Sequence, residues 1–382
     1  MTSSTISQTF KFDFIQDGDD EQAQAAQDRK KEINEPALME ISLTELLDTL
    51  PSLISYSPLQ ILSSGNHPEI FLSRRDLFDA RFQLISQTGT EQSDQVEGLE
   101  FLDAPSDLLP GVYEGGLKTW ESSLDLVQVL SSINFELSGR NILEVGCGTA
   151  IPSAYLLRQL FTLDEARNAG ETHLYLQDFN RSVLELITLP NILLAWYMSP
   201  SSASYRDAFK VGTDVGEDTE HPPLPPSDPV APGELPINPA LVAAFLESLS
   251  DKNLHIHFLR GSWSTCSIDP RFDIILTSET MYRSDSIPVL LDVLWKAYAN
   301  PRSHAIDATL EGAVEERLSL GDPKCYVAGK VLYFGAGGGL PDFISELEDP
   351  RGTKCSRRNG KWEVLKEHSQ GVVRKVLQVS WD

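Results

Sequence analysis

Apolar residues along this chain fall into short runs set apart by polar spacers, and the runs alternate between two periods. NILEV, residues 141–145, is short and nearly unbroken, as a strand covered on both faces should be. It opens into Gly146-Cys147-Gly148, and Pro152 follows where a first helical turn tolerates proline. HLYLQ, residues 173–177, reads as the second strand, and LHIHFLRGSW and FDIILTSETMY continue the series. Helical spacing appears after Gly115 and Gly116, which permit a tight turn, with Leu124, Val127, Leu130 and Ile133 on one face. It returns from about Ile287 to Tyr298, before CYVAGKVLYFGAGGG and FISELE. WEVLK and VVRKVLQVSW then read as a hairpin at a sheet edge. Strands alternating with helices predict an α/β fold of Rossmann-like type, a parallel sheet with helices on both faces.

The same patterning marks three regions. Residues 1–35 are polar and acidic, with an acidic run from Asp17 to Glu21, and predict a disordered tail. Residues 36–109 mix short apolar groups with breakers, as in LTELLDTLPSLISYSPLQIL and RRDLFDARFQLI, and predict an N-terminal arm packed on the main domain. Residues 110–382 carry the catalytic domain. Inside it, FTLDEARNAGE at 161–171 reads as a surface insertion, and the proline-rich tract at about 199–239 as a flexible one.

Composition narrows the function classes. A chain of 382 residues with 41% hydrophobic residues can bury a large core. No apolar run approaches the roughly 20 residues of a membrane-spanning helix, and MTSSTISQTFKFDF lacks the pattern of a secretory signal, so a cytoplasmic and nuclear location is expected. Cys147, Cys266, Cys325 and Cys355 lie far apart without a CxxC pair, which predicts reduced thiols and neither a zinc knuckle nor a disulfide framework. A formal net charge of −25 argues against direct nucleic-acid binding. It leaves two readings, a solvated surface or a basic protein partner.

Candidate chemistry gathers where the strands end. Gly146 and Gly148 stand where strand passes to helix, but Ile151 occupies the place of the third glycine of a dinucleotide fingerprint, which weakens the dehydrogenase reading. Glu144, two residues before the first glycine, suits the amino-acid end of S-adenosylmethionine instead. Asp178 directly follows the second strand, where an acid accepts from ribose hydroxyls. Gly146 to Gly148, Gln177 to Phe179, Gly261 to Trp263 and Ser278 to Tyr282 thus all fall at carboxyl ends of strands, where an open α/β sheet binds its ligand. Trp263 reads either as a cover for an adenine ring or as a core residue. Glu279, on a buried strand, is either hydrogen-bonded structurally or faces the substrate pocket. His255 and His257 point to one side of their strand with no further ligand set, so they are expected to be packing residues, with no metal.

In this order GVYEGGLKTWESS, LEVGCGTA, LYLQDFN with TLPN, GSW, ILTSETMY and YFGAGGG resemble the histidine protein methyltransferases of the seven-strand class. The resemblance is strong over about residues 108–345 and extends more weakly through ISYSPLQI and RRDLFDARFQL upstream. It implies a class I methyltransferase sheet of seven strands, closed by an antiparallel pair, with an N-terminal extension. It implies methyl transfer from S-adenosylmethionine to the tele nitrogen of one histidine in the third large-subunit ribosomal protein. It also implies cofactor contacts at Lys118, Thr119, Trp120, Glu121, Ser122, Gly146, Gln177, Asp178, Phe179, Gly261, Ser262, Trp263 and Ser278, beside Glu144 and Gly148 of the turn. Ser122 stands where the family usually has cysteine. A carboxylate that fixes the acceptor tautomer is expected at Glu279, or failing that Glu114. A monomer acting on a basic ribosomal protein is expected. The alternatives are a protein lysine methyltransferase on the same scaffold and a non-catalytic ribosomal-protein chaperone.

Overall fold

The computed structural model describes residues 36–62, 68–88, 115–163, 170–213, 224–265, 271–299, 322–334, 337–349 and 359–381. The tail at 1–35, most of FTLDEARNAGE, Glu114, Cys266 and Cys355 lie outside the described residues.

The N-terminal segment gives β1 (Met39–Ile41), α1 (Leu43–Leu47), β2 (Leu53–Ile61), β3 (Ile70–Arg75) and α2 (Leu77–Thr88). α3 (Glu121–Ser132), β4 (Asn141–Val145), α4 (Ile151–Thr162), β5 (Thr172–Asp178) and α5 (Arg181–Tyr197) follow. Next come α6 (Ala203–Thr213), β6 (Gly233–Pro236), α7 (Pro239–Asp251), β7 (Leu254–Arg260) and β8 (Ile274–Ser278). α8 (Ile287–Ala299), β9 (Lys324–Lys330), α9 (Leu340–Glu348), β10 (Gly360–His368) and β11 (Arg374–Trp381) close the order.

Eight strands form one sheet in the order β1-β7-β5-β4-β8-β9-β11-β10. β7, β5, β4, β8 and β9 run parallel, and β11 and β10 end the sheet antiparallel, as the hairpin reading expects. Without β1 seven strands remain, the number the family resemblance implies, with the strand-order reversal between β4 and β8. Apolar strand residues face both ways. Ile142 and Leu176 enter the core beneath α4 and α5, whereas Leu143, Val145 and Val327 enter the one beneath α8 and α9.

Two sequence expectations require correction. α3 is not covered on one stripe only. Ser122, Ser123, Asp125, Leu126, Val127, Val129 and Leu130 are buried, Leu124 is half-buried, and Ile133 lies past the helix end. The helix is held between β9 and β11 on one side and α4 on the other, so its polar positions are buried too. Asp125 is satisfied by Arg374 of β11 at 2.6 Å. The tract at 199–239 is not a bare loop. It contains α6 and β6, and β6 pairs with β2 to complete a second, three-stranded sheet, β3-β2-β6. Leu235 is fully buried there, and Tyr197 donates its hydroxyl to the Pro225 carbonyl at 2.5 Å. The arm goes further than packing on the main domain, because β1 adds a strand to the main sheet beside β7.

α5 shows how sequence sets local form. Pro190 has no N–H to return to the Leu186 carbonyl one turn earlier. The helix runs through a π turn at Leu184–Thr188, and Arg75 Nη1 donates to Leu186 O at 2.8 Å. Arg75 is buried, and its backbone N–H donates to Asn191 Oδ1 at 2.8 Å, so β3 and α5 lock together. Thr188, set by the same turn, donates to Gly148 O at 2.6 Å and so reaches the glycine turn after β4.

Candidate active site

Carboxyl ends of β4, β5, β7 and β8 carry the predicted site residues, together with the turn and start of α3. The turn after β4 takes Gly146 at φ +63° and Gly148 at φ +50°. A methyl group on Gly146 would lie 2.4 Å from Thr280 Cγ2 and 3.5 Å from Trp263 Cζ2, so the chain needs hydrogen at this position both for its backbone angle and for space. Ala150 also takes positive φ, 49°, at the N-terminus of α4.

Gln177 ties three strand ends together. Its Oε1 accepts from Gly146 N at 3.1 Å and from Trp263 Nε1 at 2.8 Å, and its Nε2 donates to Gly261 O at 2.9 Å. Gln177 therefore acts as a strap that sets Trp263 against the glycine turn, a role beyond the ligand contact expected of it. Asp178 is buried and accepts from Gly148 N at 2.9 Å and Asn180 N at 3.2 Å, with Phe179 half-buried between. Gly261 answers to a different neighbour from the one expected. A methyl group there would meet Ala37 O at 2.4 Å, and Ser262 N donates to Pro36 O at 2.9 Å, so its small size admits the backbone leading into β1.

Glu144 is fully buried. Its Oε2 accepts from Ser153 N at 3.1 Å and from Ser153 Oγ, while Oε1 has no protein partner. Burial raises its pKa, the two Ser153 bonds pull it back, and the Asp178 charge raises it again, so it is pushed up to about 8. Folding thus strengthens its hold on a proton, and this contribution to stability is complete below the unfolded value and drains away as pH climbs to about 8. The thermal midpoint of Glu144→Gln should therefore gain on that of the wild type as pH rises from about 4.5 to about 8. A difference between the two that does not vary with pH would refute this. Burial also pushes the Cys147 thiol well above its ordinary value, which suits a packing residue rather than a reactive one.

The second half of the site is built around Glu279, a buried residue at φ +59° directly after β8. Its Oε1 accepts from Ser122 N at the start of α3 at 3.2 Å. Its Oε2 has no hydrogen-bond partner and lies 3.7 Å from Lys330 Nζ at the end of β9. Lys330 also pairs with Glu121 at 3.5 Å, and its ammonium lies 4.7 Å from the Trp120 ring centre, with Lys118 Nζ 4.5 Å from the same ring. Tyr333, which sequence reasoning missed, joins this group. Burial first and the Glu279 carboxylate second push its hydroxyl well above the ordinary value. The turn before α3 abuts the glycine turn, because Gly116 O is the atom nearest a methyl group placed on Gly148 and Thr119 Oγ1 donates to Thr149 Oγ1 at 3.2 Å. Ser278 is half-buried at the end of β8, beside Ala328 of β9.

Ser122 N joins the α3 start to Glu279, Gln177 joins Trp263 to Gly146, and the sites of Glu144 and Asp178 flank the same turn. The expected residues thus form two adjoining groups, one of glycines with buried acids and one of a carboxylate among aromatic rings and cations. Glu114 has no described position.

No protein-family model matches the chain. Among curated proteins, "Histidine protein methyltransferase 1" of Saccharomyces cerevisiae is 30% identical over 290 residues, spanning 73% of this chain and 69% of that protein. The protein of the same name from Schizosaccharomyces pombe is 30% identical over 349 residues, spanning 88% and 83%. A Dictyostelium discoideum homolog is 26% identical over 246 residues, spanning 64% and 52%. Among solved structures, the rRNA methyltransferase AviRa of Streptomyces viridochromogenes superposes with a TM-score of 0.32 at 15% identity, covering 75% of this chain and 93% of its own, too loosely to bear on the fold.

Proposed function

Since the chain belongs to the histidine protein methyltransferase 1 family, we propose that this enzyme methylates the tele nitrogen of one histidine in a large-subunit ribosomal protein. The observation that carries the reading is the buried Glu279 carboxylate, held by Ser122 N with its Oε2 beside Lys330 and Tyr333 at the strand ends.

S-adenosylmethionine is the methyl donor, and the residues present fit it. A glycine turn that a single methyl group would fill and a buried Glu144 oxygen without a partner suit a ligand with an adenosine body and an ammonium end. Glu144 and the turn after β4 would hold the amino-acid end, Asp178 the ribose and Trp263 the base. When bound, the donor supplies a methyl group on a sulfonium, ready for attack by a lone pair.

A neutral imidazole is already a nucleophile, so the chain's task is to orient it and exclude water. Glu279 Oε2 accepts the N–H of one ring nitrogen, which leaves the lone pair on the other. Methylation would leave the ring cationic, the same carboxylate would stabilise it at hydrogen-bond range, and release of that N–H proton would return the methylated ring to neutrality. Ser122 N and Lys330 hold the carboxylate in place, and Trp120 and Tyr333 wall the group with aromatic rings. A formal charge of −25 favours a basic client such as a ribosomal protein.

The test is methyl transfer from labelled S-adenosylmethionine into ribosomal extract of cells lacking the enzyme, with the label located by tandem mass spectrometry. One labelled histidine on a large-subunit protein is the expected result. Label on lysine would move the acceptor to another side chain. Client binding without label, at saturating donor, would favour the chaperone alternative.

A further inference from the structure

β5 and β7 are parallel neighbours in which His173 stands opposite His255 and Tyr175 opposite His257. All four rings project to one face of the sheet and stack. The centres of His173 and His255 are 4.8 Å apart, those of His173 and His257 5.4 Å, and those of Tyr175 and His257 4.1 Å. His255 is exposed, and His173 and His257 are half-buried, so these histidines do not pack in the core as expected. They lie toward the amino ends of their strands, at the opposite end from the proposed transfer site.

The hydrogen bonds constrain how the rings present their nitrogens. Glu40, on β1, offers a carboxylate oxygen 2.7 Å from His257 Nδ1, and a carboxylate only accepts, so Nδ1 donates. His257 Nε2 lies 3.1 Å from His173 Nδ1, so a proton on His173 Nδ1 can be donated to it. That tautomer puts a lone pair on His173 Nε2, which faces Glu171 Oε2 at 3.5 Å. In that tautomer a cation fits between the two lone pairs.

Ligand atoms of Glu171, His173 and His255 all lie within 4.8 Å of one another. Two imidazoles and a carboxylate with an open fourth position is a donor set that suits zinc and similar transition ions. The chain from Glu40 through His257 to His173 is the outer hydrogen bonding that orients a metal-bound imidazole.

We propose that Glu171, His173 and His255 form a surface site for one divalent transition-metal ion, oriented through His257 by Glu40. The ion would tie the loop before β5 to β5 and β7, and through the outer residues to β1. It takes no part in methyl transfer.

The experiment titrates the full-length protein with Zn²⁺ against a chromophoric chelator and repeats the titration on His255→Ala and Glu40→Gln. His255 and Glu40 are exposed, so neither change threatens the fold. One ion per chain is expected, with affinity lowered at least 100-fold in His255→Ala and about 10-fold in Glu40→Gln. Wild-type affinity should weaken as pH falls, because protons compete for the imidazoles. Absence of binding, or one-ion binding unchanged in His255→Ala, would overturn the site. Methyl transfer by His255→Ala should match wild type, and its loss would overturn the separation of the two sites.

Discussion

Replacing Glu279 with Gln is expected to lower turnover by about 10²- to 10³-fold, a loss of about 3–4 kcal/mol in transition-state stabilisation, while donor affinity changes little. The substitution keeps the size of the side chain and leaves the φ of +59° to a residue of similar shape, so the backbone strain is common to both proteins. What it removes is the negative charge beside Lys330 and the acceptor that fixes the target ring. An amide turned to place its NH₂ toward the ring presents a donor where an acceptor is needed, and its oxygen stabilises a cationic imidazole far less. Single-turnover rates at saturating donor, with donor affinity measured separately, separate the chemical step from binding. A rate within about threefold of wild type would remove Glu279 from the mechanism.

Gly146→Ala should act at the other half of the site. The new methyl group would enter the 2.4 Å gap to Thr280 Cγ2, and Thr280 cannot easily swing away, since its hydroxyl is bonded to Thr277 Oγ1 at 2.7 Å. The alternative is for the turn to abandon φ +63°, which breaks the Gly146 N bond to Gln177 and loosens the hold on Trp263. Donor affinity is expected to fall at least 100-fold, with a stability loss of about 1–3 kcal/mol. Gly170→Ala is the control, because a methyl group there meets nothing within 4 Å. Calorimetric titration with S-adenosylmethionine decides the matter, and unchanged affinity in Gly146→Ala would mean the donor sits elsewhere.

Much of the frame could be read from the sequence because its signals are local. An apolar strand that ends in Gly-x-Gly is decided within ten residues, and β4 begins and ends where the pattern of NILEV places it. The hairpin β10–β11 is legible for the same reason. What escaped depends on partners distant in the chain. GELP carries no strand signal of its own and is a strand because β2 offers it an edge. Gln177 reads as one polar residue at a strand end, and its use as a strap appears only once Trp263 and Gly146 meet it. Gly261 invites a ligand reading until Ala37 is seen against it. Tyr333 lies inside a glycine-rich stretch, where nothing local distinguishes it from a packing aromatic. Its nearness to Glu279 is a product of the β8–β9 pairing.

The small sheet β3-β2-β6 has a consequence for how the chain comes to be folded. Its middle strand pairs Leu53 with Pro236, so one flank of β2 waits until most of the polypeptide has left the ribosome. Until then the emerging β2–β3 hairpin carries an open edge that includes Leu53, Ile54 and Tyr56, which invites pairing with other nascent chains. Pro58, which has no N–H to donate, interrupts that edge and makes it a poorer template. Closure of so distant a contact is slow compared with local pairing. Synthesis halted before residue 233 would leave a hairpin prone to aggregation, whereas a chain carried past 236 can protect itself.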